Sequence, residues 1–250
     1  VITAIGLEYY KIRRKKLWIM ITLLLAMEML WAFVTASISI SRSAEHDEWE
    51  TLFYCVSSIN GFFMPIVTAI VASRLCDMEH KGATWTILAA TNVSRIRLYT
   101  AKYICANSLL LYGILAQTVL IIAFGQMKDF SGSLPFEWLI RFIAGTMLTT
   151  LAVTALQQWI SWTVRNQAFA LCLGMLGGFI GMTAALFPAG VRHLFIWSYY
   201  SELSPVILRF AESSSSYFIQ PMNFSLMLAA LGMTVLWYTV GSLHIARKEV

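Results

Sequence analysis

Charge is what this sequence most lacks. Only 12% of its 250 residues are Asp, Glu, Lys or Arg, 58% are hydrophobic, and the mean hydropathy is +0.69. A soluble domain carries about 25% charge, so a soluble globular class is excluded. Chemistry-bearing motifs are missing too. No stretch matches G-x-x-x-x-G-K-[ST], which excludes ATP binding through a P-loop. His46, His80, His193 and His244 are scattered, with no His-Glu-x-x-His and no paired ligands. There is no G-x-S-x-G, and no apolar segment carries the Ser/His or paired-Asp arrangement of an intramembrane protease. Cys55, Cys76, Cys105 and Cys172 show neither metal nor disulfide spacing and read as packing thiols. Neither catalysis nor a resident cofactor is expected in this chain.

What is present is a series of long apolar runs. Leu17 to Ile40 is preceded by Lys11, Arg13, Arg14, Lys15 and Lys16, and followed by Glu45, Asp47, Glu48 and Glu50. A helix of about 20 apolar residues spans a bilayer, and flanking Lys and Arg mark its cytoplasmic side. Six spans are expected, at 17–40, 52–73, 103–125, 139–162, 168–187 and 224–243. An inside start places 13 of the 18 basic residues in cytoplasmic segments and 5 outside. Both termini are therefore expected to be cytoplasmic, within a single membrane domain covering residues 1–250. The formal charge of +5 follows from this topology and gives no reason to expect nucleic acid. The first span is too long for a signal-peptide core, and no small-residue cleavage site precedes the acidic loop.

The connections differ in kind. Residues 1–16 place Ile2, Ile5, Tyr9 and Ile12 at helical spacing, with Glu8, Lys11, Arg14 and Lys15 off that face. This predicts an amphipathic helix in the inner interface, turning sharply at Lys16. Arg165-Asn166-Gln167 is nearly the whole link between spans four and five, which predicts an antiparallel hairpin. The cytoplasmic loop 74–102 contains a helix-compatible stretch after Gly82, with an apolar stripe at Trp85 and Leu88. Asn92-Val93-Ser94 then punctuates it, and Ser94 can cap the next helix. Such a helix suits either docking of a partner or resting on lipid headgroups. The external loop 188–223 has apolar pieces too short to cross, including Leu194-Phe195-Ile196-Trp197. These predict re-entrant or interfacial helices.

Within the spans, Glu28 falls near mid-membrane, where an unpaired carboxylate costs a few kcal/mol. It either lines a translocation route or is a protonated group bonded to Asn107, Gln117, Gln157 or Gln158. The remaining polar span residues, Asn60 among them, read as interhelical bonds. Gly174 and Gly178 form a small-residue ridge, suited to close helix packing within the chain or between subunits.

Several segments together resemble the permease subunits of type-2 ABC exporters. They are Leu7-Glu8-x-x-Lys11-x-Arg13-Arg14, Glu79-His80-Lys81-Gly82-Ala83-Thr84-Trp85, Val93-Ser94-Arg95 and Ala101-Lys102. Leu156-Gln157-Gln158-Trp159-Ile160-Ser161 and Arg165-Asn166-Gln167-Ala168-Phe169-Ala170-Leu171, running into the Gly-rich fifth span and Pro188, resemble the lantibiotic-immunity and bacitracin-resistance branch. The usual Glu-x-x-Gly-Thr pattern is displaced by one residue here, and Asn92 stands where a proline is common.

The resemblance implies an all-α membrane protein in a bacterial cytoplasmic membrane. An N-terminal elbow helix (Glu8, Lys11, Arg13, Arg14), six transmembrane helices, a cytoplasmic coupling helix and external re-entrant helices between spans five and six would compose it. Glu79, Gly82, Thr84, Trp85, Leu88, Ser94 and Arg95 would dock a cytosolic ABC ATPase, which would hold the ATP and magnesium. A second permease subunit, identical or related, would complete the route for a cationic amphipathic peptide, in contact with membrane lipids. Two alternatives stay open: a membrane sensor or scaffold for an external ligand, and a proton-coupled secondary transporter using Glu28.

Overall fold

The structure, a computed structural model, describes residues 2–42, 47–81, 94–164, 166–210 and 215–247. A short helix α1 (Ile2–Arg14) leads into the long α2 (Leu17–Arg42), then α3 (Glu48–Lys81), α4 (Arg95–Met127), α5 (Phe136–Thr163) and α6 (Gln167–Thr183). After a 3-10 turn at Ala184–Leu186 come the one-turn helix α7 (Ala189–Arg192), a second 3-10 turn at Ile196–Ser198 and α8 (Tyr199–Glu202). Strands β1 (Val206–Phe210) and β2 (Ser215–Ile219) precede the final helix α9 (Phe224–Arg247). Among the described residues, six helices (α2 to α6 and α9) are long and apolar enough to cross a membrane.

The sharp corner between α1 and α2 rests on one residue. Lys16 adopts φ 53°, in the left-handed region that side chains rarely enter. The chain turns there over Lys15 and Lys16, and the amides of Ile19 and Met20 both bond the Lys16 carbonyl as α2 begins.

Helix α3 is the axis of the molecule. In its most apolar window 72% of residues are buried, against 17% for α9, which packs on the outside. Met64, Val67, Val71 and Leu75 of α3 meet Ile21 and Leu25 of α2 and Leu110 and Ile114 of α4 in the central core. A second core towards the acidic end joins Leu52 and Phe53 of α3 to Ile121, Leu139, Phe142 and Val206. At 34 residues, α3 is about 51 Å long at 1.5 Å per residue, against about 30 Å of hydrocarbon. Its last turns therefore project beyond the bilayer, past the span end expected at residue 73.

The hairpin expected from the short Arg165–Gln167 link is corrected. Helix α6 packs chiefly on α3, while α5 packs on α9 and α3. Glycine decides this. A methyl group at Gly174 would lie 2.2 Å from the Ala69 Cβ, at Gly178 2.4 Å from the Phe62 carbonyl oxygen, and at Gly181 2.2 Å from the Gly61 carbonyl oxygen. Pro65 sits inside α3 and has no N–H to give the Gly61 carbonyl, so that oxygen is freed and faces Gly181. The glycine ridge thus holds two helices of one chain together, and α6 makes only a lesser contact with α5.

The segment between α6 and α9 is structured, but differently from the expected helices alone. The one-turn pieces are followed by an antiparallel hairpin, with Val206 opposite Ile219 and Leu208 opposite Tyr217. Tyr217 meets Tyr54 of α3 at a ring-centroid distance of 5.7 Å, and the Ser204 hydroxyl bonds that of Ser57 at 2.9 Å. Arg141 donates to the Gln220 carbonyl at 2.9 Å, and Arg192 pairs with Glu202 at 3.1 Å. These polar ties make the segment a cap seated on the ends of α3 and α5.

Candidate functional site

The described residues bring charged groups together at the end of the molecule that carries the N-terminus. Glu8 lies one turn before Ile12 on α1, and both are buried. Glu79 lies in the projecting end of α3, and Lys102 in the second turn of α4. The Lys102 ammonium, fully buried, is 2.7 Å from the Glu8 carboxylate and 3.1 Å from that of Glu79, and donates to the Leu75 carbonyl at 2.8 Å. The Lys11 ammonium, 36% exposed, closes the figure at 2.8 Å from Glu8 and 2.7 Å from Glu79. Two cations and two carboxylates alternate, so the junction is neutral.

Its electrostatics follow from that alternation. Moving an ion from water into an interior costs several kcal/mol, and only a well-placed opposite charge offsets it. Here every carboxylate meets two ammonium groups. Burial works against the Lys11 ammonium, but its hydrogen bonds to Glu79 and Glu8 outweigh that, holding its pKa above the usual lysine value. Geometry is what the junction fixes. It ties α1, the end of α3 and the start of α4 at one point, on both sides of the loop 82–93.

This placement corrects two sequence expectations. Glu8 and Lys11 were expected off the apolar face of α1, yet the buried face includes Glu8, while Tyr9 is exposed and bonds the Ser108 hydroxyl. The helix is rotated because Lys102 supplies a buried partner that no reading of α1 alone contains. Glu79 was expected on a docking surface. Its carboxylate is instead 2% exposed, held inward by the two lysines.

Arg13 and Arg14 are exposed on α1, as is Ser94 at the start of α4, where Arg95 is half-buried. Ser94 occupies the cap position of α4, but its side chain makes no capping hydrogen bond. Gly82, Thr84, Trp85 and Leu88, and with them the expected coupling helix, lie outside the described residues.

A second feature lies in the spans. Trp31 and Thr35 of α2, Tyr54, Cys55, Ser58, Ile59, Phe62 and Phe63 of α3 and Met182 of α6 line a cavity of about 300 Å³. Trp31 and Phe63 meet edge to face at 6.0 Å. The lining is aromatic, with a few hydroxyls and no ionised group, suited to an amphipathic molecule that shares its apolar part with the membrane. Sequence reasoning missed this cavity. Its lining comes from three helices, and no pattern within any one of them marks it.

Glu28 is not part of that lining. It is 1% exposed, one turn before Trp31 but turned inward, near Gln117. Gln117 donates to the Asn60 carbonyl oxygen at 2.9 Å, which bridges α4 to α3. Neither Glu28 oxygen has a hydrogen bond of good geometry, with Gln117 its polar neighbour. The other span amides divide. Gln157 bonds the Ala170 carbonyl and Gln158 the Tyr99 carbonyl, both between helices, whereas Asn107 bonds Tyr103 in its own helix.

Comparison with known proteins yields one family. The family profile described as ABC-2 family transporter protein matches residues 4–181, from α1 through most of α6. No curated protein matches the chain.

Proposed function

This chain belongs to the ABC-2 family of transporters, and from that premise we propose that it is the permease of an exporter expelling a cationic amphipathic peptide. As the membrane subunit of an ABC transporter it carries the passage and not the ATP site. A separate cytosolic ATPase docks on the loop 82–93, and a second permease subunit, identical or related, completes the route. The basic end of the molecule faces the cytoplasm of a bacterial cell, and the cap faces outward.

The observation that carries this reading is the ionic junction. Glu79 lies three residues before Gly82 and Lys102 eight after Ser94, so both stems of the loop are fastened to α1 and to each other. A loop anchored at both ends can pass a push from a docked protein into α3 and α4, where a free linker would absorb it. Glu8, Lys11 and Glu79 act as positioning residues. Contact with the ATPase falls to Trp85 and Leu88. The aromatic cavity supports an amphipathic cargo, and the resemblance to the antibiotic-immunity branch supports a peptide such as a lantibiotic or bacitracin.

The test is a pair of variants with two readouts. Trp85→Glu or Leu88→Glu abolishes association with the ATPase and ATP-driven peptide release from inverted vesicles, while membrane insertion and thermal stability stay as in the parent. Variants that bind and transport normally would rule out the docking assignment.

A further inference from the structure

Beside the ionic junction, on the same end of the molecule, lies a wide cleft of about 770 Å³ between the α1–α2 corner and the projecting end of α3. Arg14 and Lys15 reach it from the corner and Arg74 from α3, over a floor of Leu17, Met20 and Met78. All three cations are exposed, and among the described residues none has an ion-pair partner. Two acids also line the cleft. Glu79 is neutralised by Lys11 and Lys102, and Asp77 has a partner of its own. Three cations without an ion-pair partner among the described residues thus face two engaged carboxylates.

We infer that this cleft binds the phosphate headgroup of an anionic phospholipid in the leaflet on the N-terminal side of the membrane. The cations have the chemistry of a phosphodiester site: two guanidinium groups and an ammonium from two elements line one cleft, and guanidinium groups bind phosphate oxygens in pairs. The floor distinguishes a lipid from an acidic protein surface. Leucine and methionine beneath the cations suit a glycerol backbone and the start of an acyl chain. Next to them Trp18, Ile19 and Leu23 of α2 are exposed along the face that would meet lipid tails. The position agrees as well, because α2 enters the bilayer at Leu17. Lys11 and Glu79 belong to both the cleft and the junction, so an occupied cleft braces the corner that holds the loop stems. This inference concerns a different surface from the peptide route and stands whether or not the cargo is a peptide.

The experiment is native mass spectrometry of the full chain in a neutral detergent, titrated with phosphatidylglycerol, with phosphatidylcholine of the same chains, and with sn-glycerol 3-phosphate. The parent should retain one phosphatidylglycerol in preference to phosphatidylcholine and ignore glycerol phosphate. A juxtamembrane cation contributes roughly a fivefold factor in affinity for anionic lipid. Lys15→Gln should therefore weaken retention about fivefold and the double variant Arg14→Gln/Arg74→Gln about 25-fold, while Lys128→Gln at the far end changes nothing. These side chains are exposed, so the parent's thermal transition should be kept, and the single Lys15 variant covers the case in which the double one is not. Equal retention of both lipids, unchanged retention in the variants, or displacement by glycerol phosphate would each overturn the lipid assignment. So would loss of ATPase association in the double variant with lipid retention intact.

Discussion

Replacing Lys102 with methionine is the most exacting perturbation of the ionic junction. The substitution keeps an unbranched side chain only one atom shorter and removes its charge and donors. It deprives Glu8 of a contact at 2.7 Å, Glu79 of one at 3.1 Å and the Leu75 carbonyl of one at 2.8 Å, all in a fully buried setting. Two carboxylates then share Lys11 alone, and the junction goes from neutral to one net negative charge. Breaking a buried pair by removing one partner costs about 3–5 kcal/mol, roughly two to nearly four decades in the folded-to-unfolded ratio. Removing the opposing charge as well should return much of that loss, because no ion is then left unmatched. The assay is thermal or denaturant unfolding of the purified chain in detergent, comparing Lys102→Met, Glu8→Gln and the double variant in one cycle. The double variant should be more stable than Lys102→Met alone, with a coupling of at least about 2 kcal/mol, as expected for groups in one network. A Lys102→Met variant within about 0.5 kcal/mol of the parent, or a cycle with no coupling, would refute a closed, water-free junction.

Other predictions concern different parts of the molecule. Gly178→Ala drives a methyl group against the Phe62 carbonyl and should cost about 1–3 kcal/mol by overpacking, whereas Gly190→Ala, with open space around it, should be nearly neutral; parallel thermal unfolding reads both. Glu28→Gln should leave ATP-driven peptide release within a few-fold of the parent, because the carboxyl lies outside the cavity; loss of release with normal expression would put it back on the route. Lys11 has a folded-state pKa above its unfolded value, so its contribution is fully present below the ordinary lysine pKa of 10.5. It is lost as pH rises through the folded value. Unfolding midpoints of the parent should therefore fall faster in strongly alkaline buffer than those of Lys11→Met, and parallel curves would contradict the pairing. Lys16→Gly should be tolerated or slightly stabilising because of the positive φ, while Lys16→Val should destabilise by about 1–2 kcal/mol.

The membrane architecture was legible because hydropathy and charge asymmetry are local signals, each carried by some 20 neighbouring residues. Leu17–Arg42 announces itself without reference to any other helix. What was not legible depends on pairs. The rotation of α1 is set by Lys102, 94 positions away from Glu8, and no periodicity within residues 2–14 contains that information. Lys102 itself was visible as a basic residue at the edge of a span and as part of the Ala101-Lys102 segment, with nothing to name its partners. The partner of α6 was misread because a three-residue link argues for adjacency, while the glycine ridge argues for close approach without naming the partner. Pro65 and Gly61 supplied it. The hairpin Val206–Ile219 went unseen because the apolar pieces of the loop 188–223 read as re-entrant or interfacial helices, and a two-stranded ribbon leaves little alternation to detect.

The measurement that bears most directly on the central claim is a mild-detergent purification of the tagged chain from its native membranes, with identification and stoichiometry of what accompanies it. An ATPase recovered in a fixed ratio, and lost on Trp85→Glu, is the predicted result. A well-folded chain that repeatedly comes down without any ATPase would contradict the account of a permease driven through the loop between α3 and α4.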